Sequence, residues 1–202
     1  MSPKERYREL CEAEGHRIPV FQQYWWMETV CAGKEWDVAI ATDDNGRLLA
    51  ALPYLIRERC GMRYILQPQL TQFSGPYFLT PEDMSERRRI DFEHNACGKL
   101  IDQLDKLRLA YFFQRFSPTV TDWLPFYWAG FSQTTRYTYR IDDISDPAWV
   151  FESFDRTKER QRRIRRIADQ YTVDAAVPCD VFVKFHSDYW SSRGQKDITP
   201  PD

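Results

Sequence analysis

Glycine is scarce in this chain, with 8 among 202 residues, which excludes collagen-like and Gly-rich repetitive architectures. No apolar run approaches the ~20 residues a membrane-spanning helix needs. The start, Met1 to Arg6, runs into a charged amphipathic stretch and lacks the apolar segment of a secretory signal. The five cysteines (Cys11, Cys31, Cys60, Cys97, Cys179) are scattered and odd in number, with no CxxC pair and no Cys/His cluster of metal-site spacing. They read as reduced thiols in a cytoplasmic compartment, with no metal site. The three histidines (His16, His94, His186) lie far apart, and no GxSxG, Walker, HExxH or GxGxxG string occurs. His94 falls in a stretch rich in Arg and Glu and reads as a surface residue. Adjacent acids (Glu82-Asp83, Asp142-Asp143) sit at turn or cap positions, where carboxylates are normally structural. Arg57, Arg59 and Arg63 around Cys60 would favour a thiolate, but a hairpin turn accounts for the same residues. No catalytic residue is assigned.

What is present is an ordinary globular composition, 43% hydrophobic and 29% charged, with a high aromatic share of 15% that suggests a densely packed aromatic core. The net charge of −2 is unevenly spread. Residues 156–166 hold seven basic side chains and one acid, so a local +6 stands against −8 elsewhere.

The residue pattern predicts a helix over 4–14 and a second opened by Pro19 and carrying Phe21, Tyr24, Trp25, Met27 and Cys31. Alternation at Trp36, Val38 and Ile40 predicts a strand, and Asp43-Asp44-Asn45-Gly46 a hairpin turn. The apolar run 47–57 suits a central strand covered on both faces, with a bulge or splayed edge at Pro53, which has no N–H to donate. A third strand follows from Met62 to Gln67. Thr80-Pro81-Glu82-Asp83 has the features of a helix start, and Ile90, Cys97, Leu100, Ile101, Leu104 and Leu107 give that helix an apolar face. Further elements are a strand over 110–116, a short helix over 122–128 closed by Gly130, and a strand over 134–141. The fold class is α/β: a mixed central sheet flanked by helices over 1–145. Over 146–202 come a basic helix (155–170), a brief strand (171–177), a helix (181–192) and Thr199-Pro200-Pro201-Asp202, which together look like the opening of a second unit.

Two segments carry candidate chemistry. At 100° per residue, Ile164, Ile167, Ala168 and Tyr171 form an apolar stripe about 100° wide, suited to packing. Lys158, Arg162, Arg165 and Arg166 share the opposite face, Arg156 and Arg163 flank it, and Arg160 lies beside the stripe. Guanidinium forks match phosphate oxygens bidentately. Asp155 and Glu159 are the acids in or beside the run able to neutralise them, which pulls against a solvated, ion-paired face; that reading and an anionic ligand both stay open. The second segment is the amide-rich loop from Gln67 to Tyr77. Gln69, Gln72 and Tyr77 are candidates for lining a cleft there, and a loop packed over a sheet edge is the plainer reading.

Several strings in this order resemble the Fem-type branch of the GNAT-fold N-acyltransferases, the peptidoglycan-bridge aminoacyl or peptidyl transferases and their relatives. They are Pro19-Val20-Phe21-Gln22-Gln23-Tyr24-Trp25-Trp26, Trp36-Asp37-Val38-Ala39, Leu49-Ala50-Ala51-Leu52-Pro53-Tyr54, and Leu70-Thr71-Gln72 with Gly75-Pro76-Tyr77. Trp128-Ala129-Gly130-Phe131, Tyr137-Thr138-Tyr139-Arg140-Ile141 and Arg162-Arg163-Ile164-Arg165-Arg166 complete the set, over most of 19–190. The resemblance implies a GNAT-like domain over 1–145 and a basic connector helix plus an incomplete second GNAT-like domain over 146–202. The chain is then the N-terminal half of an enzyme of peptidoglycan biosynthesis that moves an aminoacyl or acetyl group to an amine, inactive as this half alone. It also implies that Lys158, Arg160, Arg163, Arg165 and Arg166 bind the phosphate of a small-molecule or cell-wall precursor, or transfer RNA. The acyl donor, acetyl-CoA or aminoacyl-tRNA, belongs to the full-length protein, and this half binds no cofactor. Two other readings stand beside it: a nucleic-acid-binding module using 155–170, and a catalytically inactive scaffold.

Overall fold

The computed structural model describes residues 1–153, 158–172, 174 and 176–195, with side chains omitted for 158–161. Helix α1 (Pro3–Glu14) begins where the motif says it should. The Ser2 hydroxyl accepts the Glu5 N–H and the Glu5 carboxylate accepts the Ser2 N–H, a capping box ahead of Pro at the first helical position. The next helix does not open at Pro19. A 3-10 turn over Val20–Gln22 comes first, and α2 (Tyr24–Val30) starts only after Gln23, whose extended backbone interrupts the helical path.

Strands β1 (Trp36–Thr42), β2 (Leu48–Arg59) and β3 (Met62–Leu66) form an antiparallel meander. The two-residue β4 (Tyr77–Phe78) pairs with β2 at Ala50 and Ala51. Helix α3 (Glu86–Lys106) then carries the chain to β5 (Leu109–Phe112), which lies parallel to β3. The sheet is therefore mixed, in the order β1-β2-β3-β5 with β4 beside β2. At the β1–β2 turn only Gly46 takes positive φ (79°), and the Gly46 N–H reaches the Asp43 carbonyl at 3.0 Å. The turn is thus a type I turn with a glycine bulge instead of a two-residue primed turn.

Strand periodicity sorts the core into two layers. Val38, Ile40, Ala51 and Leu55 face Tyr7, Leu10, Met27 and Val30 of α1 and α2. Ala39, Ala41, Ala50, Leu52, Tyr54 and Ile56 face Cys97, Leu100, Ile101 and Leu104 of α3. Coverage on both faces is the reason 48–56 read as an unbroken apolar run. Each large aliphatic side chain buried there contributes about 1.5–3 kcal/mol relative to exposure.

Several expected elements differ. Thr80–Asp83 does not start α3: it forms a turn with the Met84 N–H on the Pro81 carbonyl, and the helix begins at Glu86 behind Ser85. Helix α4 covers Leu124–Trp128, with Asp122 outside it accepting the Leu124 N–H, and Ala129 is its C-cap. Gly130 follows at φ 87°. Residues 134–141 form no strand, and Tyr137 (94% exposed) and Tyr139 (103%) stand open to solvent. The described part of 171–177 is likewise not a strand.

The chain divides into two units, Met1–Ser132 and Gln133–Asp197. The second holds α5 (Pro147–Ser153), α6 (Lys158–Gln170) and α7 (Cys179–Ser192), and none of its described residues is buried. The aromatic residues accordingly do not all enter a core. Trp149 is exposed there, as are Tyr127 and Trp128 in the first unit. Among the described residues no helix is long and apolar enough to cross a membrane.

Candidate functional site

Helix α6 is the strongest concentration of charge. Arg162, Arg163, Arg165 and Arg166 are all exposed, and none forms an ion pair among the described residues. Asp169 stands on the same face without neutralising them by contact. Arg165 lies over the Phe151 ring of α5 at 5.9 Å, a long cation–π approach that leaves its N–H groups to solvent. Lys158 and Arg160 belong to the helix, with their side chains outside the described residues; Arg156 and Asp155 lie outside altogether. The apolar stripe is not packed as its width suggested. Ile164 is 43% exposed, Ile167 50% and Tyr171 68%.

The loop between β3 and β4 belongs to the first unit. Gln69 and Gln72 are exposed there with their amides in no described contact, while Tyr77 lies half-buried on β4 with its hydroxyl 3.3 Å from Glu14. Burial and that carboxylate raise the Tyr77 pKa to about 12, so it stays protonated near neutrality. These three side chains do not converge by any described contact.

Other polar groups do converge, around Pro53. On one edge β2 pairs continuously with β1, Val38 opposite Pro53, without a bulge there. On the other edge it pairs with β4 at 50–51 and with β3 from 55, leaving 52–54 without a strand partner. The splayed edge expected at Pro53 is this gap. Side chains fill it: Gln114 Nε2 donates to the Pro53 carbonyl at 2.8 Å and Ser74 Oγ approaches it at 3.4 Å. Gln22 Nε2 donates to the Gly75 carbonyl at 2.7 Å. Gln67 accepts the Arg115 N–H at 3.0 Å and donates to the Thr71 carbonyl, and Trp26 Nε1 donates to Thr71 Oγ1. The loop is thus tied down through Gln67, Thr71 and Ser74 while Gln69 and Gln72 face outward. Sequence offers little sign of this, since Gln22 and Gln114 lie 53 and 61 residues from their partners; Pro53 alone marks the spot.

A second pairing was also invisible in sequence. His94 Nε2 lies 2.8 Å from Asp122 Oδ2, and its ring meets Trp128 edge-on at 5.4 Å. Burial works against the Asp122 carboxylate, but the Leu124 N–H and His94 outweigh it and hold its pKa below the ordinary value. Cys97, one turn along α3 from His94, is buried, and burial with nearby Glu93 and Asp122 pushes its pKa to about 12. That thiol is no nucleophile. Among the described residues no group of three or more His, Cys, Asp or Glu is placed to hold a metal ion. A shallow groove of about 330 Å³ between β1 and α3 carries Asp43, Asp44, Lys99 and Asp102, with Lys99 committed to the Thr42 carbonyl.

No family model, curated protein or solved structure matches the chain.

Proposed function

We propose that the chain is the front half of a Fem-type GNAT-fold N-acyltransferase, moving an aminoacyl or acetyl group to the amine of a phosphorylated cell-wall precursor. The observation that carries the reading is the element order: two helices, an antiparallel three-strand meander, then a helix leading to a strand parallel to the third. Three of the strings that resemble the family fall on these elements: residues 19–26 on the turn before α2 and its first residues, 36–39 on β1 and 49–54 on β2. The exposed, unneutralised guanidinium groups of Arg162, Arg163, Arg165 and Arg166 support a phosphate-binding role for α6. The reaction joins an amine nitrogen to an activated carbonyl carbon, breaks the bond to the donor's leaving group, and releases the amine proton. Such a step depends mainly on positioning and electrostatic stabilisation.

The test is a thermal-shift titration of the full chain with a uridine-diphosphate-linked muramyl peptide, with wild type compared against Arg163→Ala/Arg166→Ala. A saturable rise in Tm that the double variant loses is expected. No shift at millimolar ligand refutes the reading. So does exclusive binding of generic RNA whose affinity collapses between 50 and 200 mM salt, the behaviour of a nucleic-acid module.

A further inference from the structure

We propose that α6 docks on an anionic lipid surface, so that the phosphate it binds sits at a bilayer interface and not free in water. The inference rests on the ligand-facing role given to α6 above. A helix that holds only a soluble phosphate, or a nucleic-acid backbone, needs its cationic face and nothing more. In α6 the opposite stripe is apolar and also open: Ile164, Ile167 and Tyr171 are exposed on a helix whose other side carries Arg162, Arg165 and Arg166. An apolar stripe beside an arginine face, both facing solvent, is the pattern of a helix that lies in a headgroup layer, with aliphatic side chains in the acyl boundary and cations on the phosphates.

Helix α7 also leaves an apolar stripe open, though without an arginine face of its own. At 100° per residue Val181, Phe185, Tyr189 and Phe182 span one 100° stripe, and all four are exposed. The opposite side, with Val183 and Trp190, is half-buried within the unit. Arg193 stacks over the Tyr189 ring at 4.7 Å, placing a cation at the stripe's border. Charge selects the surface: residues 156–170 hold seven basic and two acidic side chains, a net +5 on a protein whose remainder is acidic, which suits an anionic bilayer and disfavours a zwitterionic one.

The experiment is flotation of the full chain with vesicles of phosphatidylcholine containing 30% phosphatidylglycerol, and with pure phosphatidylcholine. Retention on the anionic vesicles alone is expected. Arg162→Ala/Arg166→Ala should weaken it about 30-fold, at about 1 kcal/mol per basic residue near the surface. Ile167→Asp should weaken it about tenfold or more, since an aliphatic side chain is lost from the acyl boundary. Both variants change exposed residues, and far-UV circular dichroism and Tm check that they fold. Absence of flotation, equal flotation on both vesicles, or wild-type flotation of Ile167→Asp overturns the proposal. Complete release by millimolar inorganic pyrophosphate also overturns it, because the ligand would then be a free phosphate. So does release by RNA, the mark of a nucleic-acid face. A chain that fails to float yet keeps its thermal shift with the soluble precursor loses this inference alone; the reverse result removes only the acyltransferase reading.

Discussion

Replacing Gln22 by methionine isolates one hydrogen bond on which the split sheet depends. Gln22 is 1% exposed, and its Nε2 donates to the Gly75 carbonyl at 2.7 Å. The β2–β4 register pairs Ala51 with Tyr77; carried two residues further, it sets Gly75 opposite Pro53, which has no N–H to give. The amide of Gln22 supplies the missing donor. Methionine keeps nearly the same length and volume, so the cavity contribution is small. What remains is a buried carbonyl stripped of its partner, at about 1–3 kcal/mol. For a domain of this size that corresponds to roughly 3–10 °C in Tm. Thermal and urea unfolding followed by circular dichroism measure it. Gln69→Met and Gln72→Met are the controls: both side chains are exposed, and each change should stay within about 0.5 kcal/mol. If Gln22→Met unfolds together with those controls, the account of the gap at Pro53 is wrong.

Gly75 and Gly98 should respond oppositely to alanine. At Gly75 φ is 91° and a Cβ would lie 2.6 Å from Phe116 Cδ1, so Gly75→Ala should destabilise by about 2–4 kcal/mol in urea unfolding. At Gly98, inside α3, a Cβ meets nothing within 4 Å, and Gly98→Ala should stabilise by about 0.5–1 kcal/mol. Asp122 has a lowered pKa in the fold, so its stabilisation is complete above the ordinary carboxylate value and is lost as pH falls through the folded value. The Tm gap between wild type and Asp122→Asn should therefore hold constant from pH 5 down to about 4 and shrink below that; a gap that widens on acidification contradicts the sign. Thiol titration of the native chain should find Cys60 and Cys179 reactive and Cys11, Cys31 and Cys97 protected until unfolding, in line with their exposure. Burial raises the Cys31 pKa to about 11 and that of Cys97 to about 12. Rapid native labelling of Cys97 would mean the α3 layer opens.

The layered part of the fold was legible because its signals are periodic and its contacts repeat. Trp36, Val38 and Ile40 mark one face of β1 by simple alternation, and Leu100, Ile101 and Leu104 mark the α3 stripe. Where legibility failed, local propensity lost to context. The aromatic and β-branched residues of 134–141 have strand propensity, but propensity without a paired strand builds nothing, and 134–141 is unpaired. Thr80-Pro81 satisfies the rules for a helix start, and Ser85 five residues later satisfies them as well; the chain uses the second. The polar network around Pro53 was illegible for a different reason. Its glutamines come from distant parts of the chain, and nothing in a glutamine's sequence neighbours tells a buried amide such as Gln22 from an exposed one such as Gln69.

The two units also differ in what stabilises them, and this bears on how α6 binds anything. In the first, α1, α2 and α3 each lay an apolar stripe on the sheet. In the second, α6 has 13 residues, a length at which a helix without tertiary support is marginal in water. Like charges work against it: Arg162 faces Arg165 and Arg166 at i,i+3 and i,i+4, each pair costing about 0.2–0.5 kcal/mol, and Asp169 at i,i+4 from Arg165 and i,i+3 from Arg166 offsets part of that. On the proposed anionic surface that sign would reverse, and Ile164 and Ile167 would be covered in the same event. Helix stability and ligand affinity are then one quantity: a ligand that binds only the ordered helix stabilises it by about 2.7 kcal/mol at a hundredfold excess over Kd. Salt acts on both sides of this balance. It relieves the arginine repulsion in the free helix and weakens the attraction in the bound one. If α6 binds an anionic surface as proposed, screening of that attraction is expected to release it as salt rises.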